Sequence, residues 1–165
     1  MKHFLVLPLL LSGLFLSAQN DAVHYEVLQK AIDIQIEGYE AEEPEGTSVN
    51  YNNVSYSVAT VRFTNAEGNY INVSLMDYST ALDMYSATTM AWAMGFSHDS
   101  SEEKAGGVAL NEDMKGWESI KKKTGVASVT FGVRDRYILV IEMDGQSGTE
   151  KAKSIAKKVK VNTLP

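Results

Sequence analysis

Apolar and polar residues alternate most cleanly in "YINVSLMDY", residues 70–78. Ile71, Val73 and Leu75 fall on one side, and Tyr70, Asn72, Ser74 and Met76 on the other. This period of two predicts a strand with one face on a core. "VASVTFGV" (126–133) and "RYILVIEM" (136–143) read as a hairpin joined at Arg134-Asp135. Its second strand is apolar on both sides, through Tyr137, Leu139 and Ile141 and also Ile138 and Val140, as a central strand covered above and below would be. In "VSYSVATVRF" (54–63) the series Val54, Tyr56, Val58 changes register to Ala59, Val61, Phe63. Either both faces of this strand are covered or it carries a bulge near Val58. The turn "NAEGN", with Gly68 suited to a positive φ, joins it to 70–78. "VAL" (108–110) and "KGWESI" (115–120) supply shorter strands.

Three stretches change period. Asp21 can cap a helix through about Asp33 that presents Leu28, Ala31, Ile32 and Gln35 on one face. Thr80 with Asp83 resembles a capping box opening a helix over 80–95 that Gly95 stops. Ser147 with Glu150 opens a closing amphipathic helix, with Ala152, Ile155, Ala156 and Val159 toward the core and lysines outward. Residues 36–50, with Glu37, Glu40, Glu42, Glu43 and Glu45 around Pro44, read as a solvated loop. They lack the spaced oxygen ligands and fixed glycine of a calcium loop. The order helix, two strands, helix, about four strands, helix predicts an α+β fold. Five to seven mostly antiparallel strands would form one sheet, with about three helices packed on it.

The middle helix is unusual because its only charged residue is Asp83. Leu82, Tyr85, Thr89, Trp92 and Phe96 make a stripe at helical spacing; Met84, Met90 and Met94 occupy other sides, with alanines between. An apolar helix of this kind is normally buried all round. The alternative is a pocket wall or docking surface, since methionine moulds itself to apolar shapes. Met84, Tyr85, Met90, Trp92 and Met94 are therefore the candidate residues for an apolar small molecule or an envelope protein.

Residues 1–18 read as an export signal. Lys2 is followed by the apolar run Phe4 to Phe15, and Ala18 precedes the expected cut. Twelve residues interrupted by Pro8 fall short of the roughly 20 that cross a bilayer. The expectation is a signal peptide at 1–18, a single domain at 19–165 without a transmembrane segment, and a periplasmic or secreted location. The absence of cysteine removes disulfides, thiolate chemistry and lipid attachment. A net charge of −6 argues against nucleic acid as a partner. Fourteen acidic and two basic residues occupy 19–103, against seven and twelve in 104–165. The two halves either interleave and compensate, or form a dipolar surface that orients a partner.

Catalytic chemistry finds little support. Ser97, His98 and Asp99 are adjacent, and consecutive side chains diverge instead of lining up as a triad. His24 and His98 are the only histidines after the signal and have no metal-ligand spacing, so no metal and no cofactor are expected. No phosphate-binding glycine loop is present. Asn53 and Asn72 open "NVS" triplets but sit in predicted strands and read as ordinary strand residues. Lys121, Lys122 and Lys123 with Arg134 and Arg136 are either a basic edge for an anion or a guard on a sheet edge.

The segments "IEGYEAEEPEGTSVNY", "KGWESI" and "DRYILVIE", behind a leader ending "LSAQN", resemble an uncharacterised family of bacterial exported envelope proteins. That resemblance implies an envelope or secreted location. The element order is also similar to small α+β folds such as photosystem-associated PsbP-like domains, a likeness of topology that carries no site residues. The function these readings favour is a non-catalytic envelope binding module using helix 80–95. The alternatives are an accessory or structural envelope protein acting through its charge asymmetry, and a hydrolase using His98 or His24.

Overall fold

Strand pairing dominates the computed structural model, which describes residues 21–165. The predicted signal peptide lies outside them. In chain order the strands are β1 (Glu40–Ala41), β2 (Glu45–Tyr51), β3 (Val54–Thr64), β4 (Tyr70–Asp77), β5 (Ser97–Asp99), β6 (Glu103–Ala109), β7 (Met114–Lys121), β8 (Val126–Val133) and β9 (Tyr137–Met143). They form one antiparallel sheet ordered β1-β3-β4-β9-β8-β7-β6-β5, with β2 also paired to β3. The helices are α1 (Tyr25–Ile32), α2 (Leu82–Ala93) and α3 (Glu150–Ala156), followed by a 3-10 turn at Val161–Thr163.

An α+β fold is thus observed, but nine strands exceed the expected five to seven. The three unforeseen ones are β1 and β2, inside the acidic stretch read as a loop, and β5, inside the polar run "SHDSSEEKAGG" (97–107), also read as a loop; β6 starts in that run too, five residues ahead of the strand expected at 108–110. All three lie at margins of the sheet, and among β2's seven residues only Val49 is even half-buried. Backbone pairing to β3 holds β2 in place, so it needs no alternation of apolar side chains. The hairpin signal was present in Asn52-Asn53, whose φ values of 48° and 64° make the left-handed two-residue turn that asparagine tolerates.

One sheet face carries the core. Ala59, Val61 and Phe63 of β3, Ile71, Val73 and Leu75 of β4, Leu139 and Ile141 of β9, and Val129 and Phe131 of β8 are buried beneath α1, α3 and the tail. Leu28, Ala31 and Ile32 dock α1, while Ala152, Ile155 and Ala156 dock α3. Each large side chain fully buried there contributes about 1.5–3 kcal/mol. The register of β3 against β4 runs unbroken from Ser57↔Asp77 to Thr64↔Tyr70. No bulge occurs near Val58; both faces of β3 are used, with Tyr56 packed on the opposite side.

Three predicted caps do not form, because tertiary partners take their groups. The N–H of Ala22 bonds Ser55 Oγ and that of Val23 bonds Asp77 Oδ2, delaying α1 to Tyr25. Thr80 Oγ1 accepts the Ser55 N–H at 2.5 Å, and α2 begins at Leu82 without a side-chain cap. The predicted cap Ser147 lies outside α3: Thr149 holds the N-cap position instead, its hydroxyl donates to Glu118, and the helix begins without a side-chain cap.

The acidic and basic halves interleave. Lys122 pairs with Asp99 at 2.6 Å, Lys123 pairs with Glu102, and Arg136 pairs with Asp77. Lys121–Lys123 stand at the β7–β8 turn, and Arg134 and Arg136 at the far end of β8 and β9. The imagined basic edge is therefore not assembled, and β7 is not an edge strand.

Candidate functional site

The second sheet face is reached by topology. The chain leaves β4 in mid-sheet and must cross β9, β8, β7 and β6 before it starts β5 at the far margin. Five strand spacings amount to about 24 Å. Twelve residues of α2 span about 18 Å, and short connectors at each end supply the rest. Tyr78, Ala81 and Ile138 are buried where the crossing begins, with Tyr56, Met76, Tyr85, Trp92 and Val140 packed around them. At its end, Phe96 stacks on Trp117 of β7 with ring centres 5.9 Å apart.

Full burial is not what this helix achieves. No residue of α2 is buried. Met84 is 45% exposed, Met90 59% and Met94 76%, beside exposed Leu82 and Phe96. Tyr85 and Trp92 are half-buried and face the sheet. The candidate set divides accordingly: Tyr85 and Trp92 turn inward, while Met84, Met90 and Met94 lie on the exposed side.

Between α2 and the ends of β6, β7 and β8 lies an open cleft of about 600 Å³. This is within the range of ligand pockets, about 300–1,000 Å³. Tyr85, Trp92 and Ala93 form its roof; Gly107, Val108, Ala109, Gly116 and Gly132 contribute its floor. Glu112, Asp113, Lys115, Arg134 and Asp135 line the rest. Gly132 is required for Tyr85 to sit there, since a Cβ at that position would stand 2.5 Å from the phenol oxygen. Burial, and then the Asp135 carboxylate, push the Tyr85 phenol above its ordinary pKa of 10.0. It therefore stays protonated at neutral pH and can donate a hydrogen bond into the cleft.

The other sequence candidates do not converge here. Ser97 and Asp99 lie on one side of β5 and His98 on the other, as the pairing Ser97↔Gly106, His98↔Ala105, Asp99↔Lys104 requires. His98 Nε2 is buried with no hydrogen-bond partner among the described residues. His24 precedes α1, where its nearest carboxylate is that of Glu26 at 3.7 Å. Among the described residues, no three histidine or carboxylate side chains stand close enough to hold a metal ion, and no helix is long and apolar enough to cross a membrane.

Sequence reading missed the cleft's floor and rim. Gly107, Lys115, Gly132 and Asp135 come from separate strands and turns, and only the sheet order brings them together. The one available signal was glycine inside otherwise regular strands, which marks close backbone approach. Compared with known proteins, the chain matches no family model and no curated sequence.

Proposed function

We propose that this chain is an exported, non-catalytic binding module of the bacterial envelope, taking an apolar ligand or partner protein at α2 and the cleft beneath it. The observation that carries this reading is a twelve-residue apolar helix with no buried residue, held over an open 600 Å³ cleft by Tyr85 and Trp92. Large exposed apolar surface is uncommon on a soluble monomer unless it binds something. A hydrolytic reading is disfavoured by the divergence of Ser97, His98 and Asp99. A dipolar docking protein is disfavoured because acidic and basic residues of the two halves pair with each other.

The test is titration with N-phenyl-1-naphthylamine, a dye that brightens in apolar sites. Wild-type protein should bind it saturably, and Trp92→Ala should weaken binding about tenfold or more. A half-buried Trp92 predicts a stability loss below about 2 kcal/mol, against about 3–5 for a fully buried tryptophan. A loss in the higher range, with no dye bound by wild type, would sink the proposal. Export is checked separately by sequencing the N-terminus of the protein recovered from a bacterial envelope. Cleavage near Ala18 is expected; a chain starting at Met1 would contradict it.

A further inference from the structure

One margin of the cleft is an unfinished strand edge. β6 pairs with β7 along its whole length, but β5 covers its other edge only from Lys104 to Gly106. The ladder's alternation identifies which groups are left over. Leu110 N–H bonds Met114 C=O, and Lys122 N–H bonds Glu102 C=O, so the even-numbered residues of β6 point toward β7. The Ser100 N–H bonds Glu103 C=O, so the odd-numbered residues point toward β5. The pair Ser97↔Gly106 directs the Gly107 N–H to Phe96 C=O, so the groups left over beyond the end of β5 are Gly107 C=O and Ala109 N–H and C=O, and both residues line the cleft. The chain supplies no continuation, because the Phe96 N–H turns back to Ala91 C=O.

Gly107 adds a second argument. Its φ is not in the left-handed region, and a Cβ there would meet nothing nearer than Gly116 C=O at 4.0 Å. The chain's own fold therefore does not require glycine at 107, unlike at 116 and 132. A strand glycine without internal cause leaves room for another backbone to approach. The third argument is charge. Glu112, Asp113 and Asp135 line the same cleft with Lys115 and Arg134, three acids against two bases, and none of the three acids forms an ion pair among the described residues. The guanidinium of Arg134 is turned to Leu164 C=O.

We propose that the free edge of β6 at Gly107–Ala109 takes an extended segment of a partner protein as an added strand. At the every-second positions that face the cleft, apolar side chains lie against Trp92 and Tyr85, and basic side chains flanking them on that same face meet Glu112, Asp113 and Asp135. Main-chain hydrogen bonds supply affinity in such strand addition, and the pockets for alternate side chains supply selectivity. This inference rests on the reading of the cleft as a binding site and narrows its occupant to a peptide.

The probe is a library of fluorescein-labelled heptapeptides with valine, leucine or tyrosine at positions 3 and 5, lysine or arginine at positions 1 and 7 on the same face, and serine between, read by anisotropy. Library members should bind wild type and lose at least tenfold in affinity for Gly107→Val, while the melting temperature stays at or above the wild-type value. Gly107→Ala, a smaller wedge, serves if valine disturbs the strand. Peptides N-methylated at alternate residues should also lose at least tenfold. Equal binding to wild type and both glycine variants, or equal binding of N-methylated peptides, overturns the proposal. So does concentration-dependent self-association of wild type that Gly107→Val abolishes, which would make a second copy the occupant. Dye binding without peptide binding defeats this inference and leaves the cleft a small-molecule site; failure of both defeats the reading beneath it as well.

Discussion

Exchanging Asp77 for alanine lowers the free energy of unfolding by about 3–5 kcal/mol, the cost of cutting a buried ion pair on one side. Asp77 is fully buried at the end of β4. Its Oδ1 accepts from Arg136 Nε at 2.8 Å and from the Ser79 N–H at 2.9 Å. Its Oδ2 accepts from Arg136 Nη2 at 2.7 Å and from the Val23 N–H at 2.8 Å. The hydrogen bonds to Asp77 hold the Arg136 guanidinium above its ordinary pKa despite its partial burial. Alanine would strand a mostly buried guanidinium and two backbone N–H groups, and would release the segment that leads into α1. Asparagine should do little better, because all four partners are donors and its amide nitrogen is a fifth. Urea unfolding followed by circular dichroism measures the loss. A value below about 1 kcal/mol would mean that this carboxylate is not the anchor described.

Gly116→Ala is the second large effect, at about 3 kcal/mol, the upper end of overpacking costs. A Cβ on Gly116 would overlap the carbonyl oxygen of Thr130 and stand 2.8 Å from its carbonyl carbon and 2.9 Å from Phe131 Cα. These are backbone atoms of β8, so no side-chain rotation relieves the clash. β7 and β8 would have to part across Gly116↔Phe131 and Trp117↔Thr130. Thermal melts of Gly116→Ala and Gly107→Ala side by side make the comparison: the first should fall sharply and the second should hold or rise. Equal, small changes in both would refute this account of the two glycines.

Those glycines illustrate what the sequence can and cannot reveal. Both read as a residue inside a strand, yet one is fixed by a neighbouring backbone and the other faces open space. Alternation located β4, and an apolar hairpin pattern located β8 and β9, almost to the residue, because β4 and β8 bury one face on the core and β9 is covered on both. β1, β2 and β5 left no such trace, being marginal strands held by backbone pairing. Position 134-135 was legible as a turn, and its φ values of 55° and 51° suit a two-residue hairpin. Composition identified α2 as a helix but not its exposure, which follows from the route the chain takes over the sheet. The caps failed for a related reason: Thr80 has a partner far away in sequence, as has Thr149, which takes the N-cap position expected of Ser147, and no local pattern announces either. The lysine run and Arg134 are near in sequence but stand at opposite ends of β8.

The pairing of β4 with β9 has a kinetic corollary. Every other long pair in the sheet joins strands that follow one another in the chain, whereas this seam brings together residues 60 to 72 positions apart, from Asp77↔Tyr137 to Ile71↔Met143. Two meanders can zip locally, but neither completes its apolar layer until they meet along that line. Closing so long a loop precedes its reward, and topologies dominated by distant pairings fold in milliseconds to seconds, well behind helical bundles of similar size. Until the seam shuts, the unsatisfied edges of β4 and β9 are the parts of the nascent molecule most exposed to association with neighbouring chains.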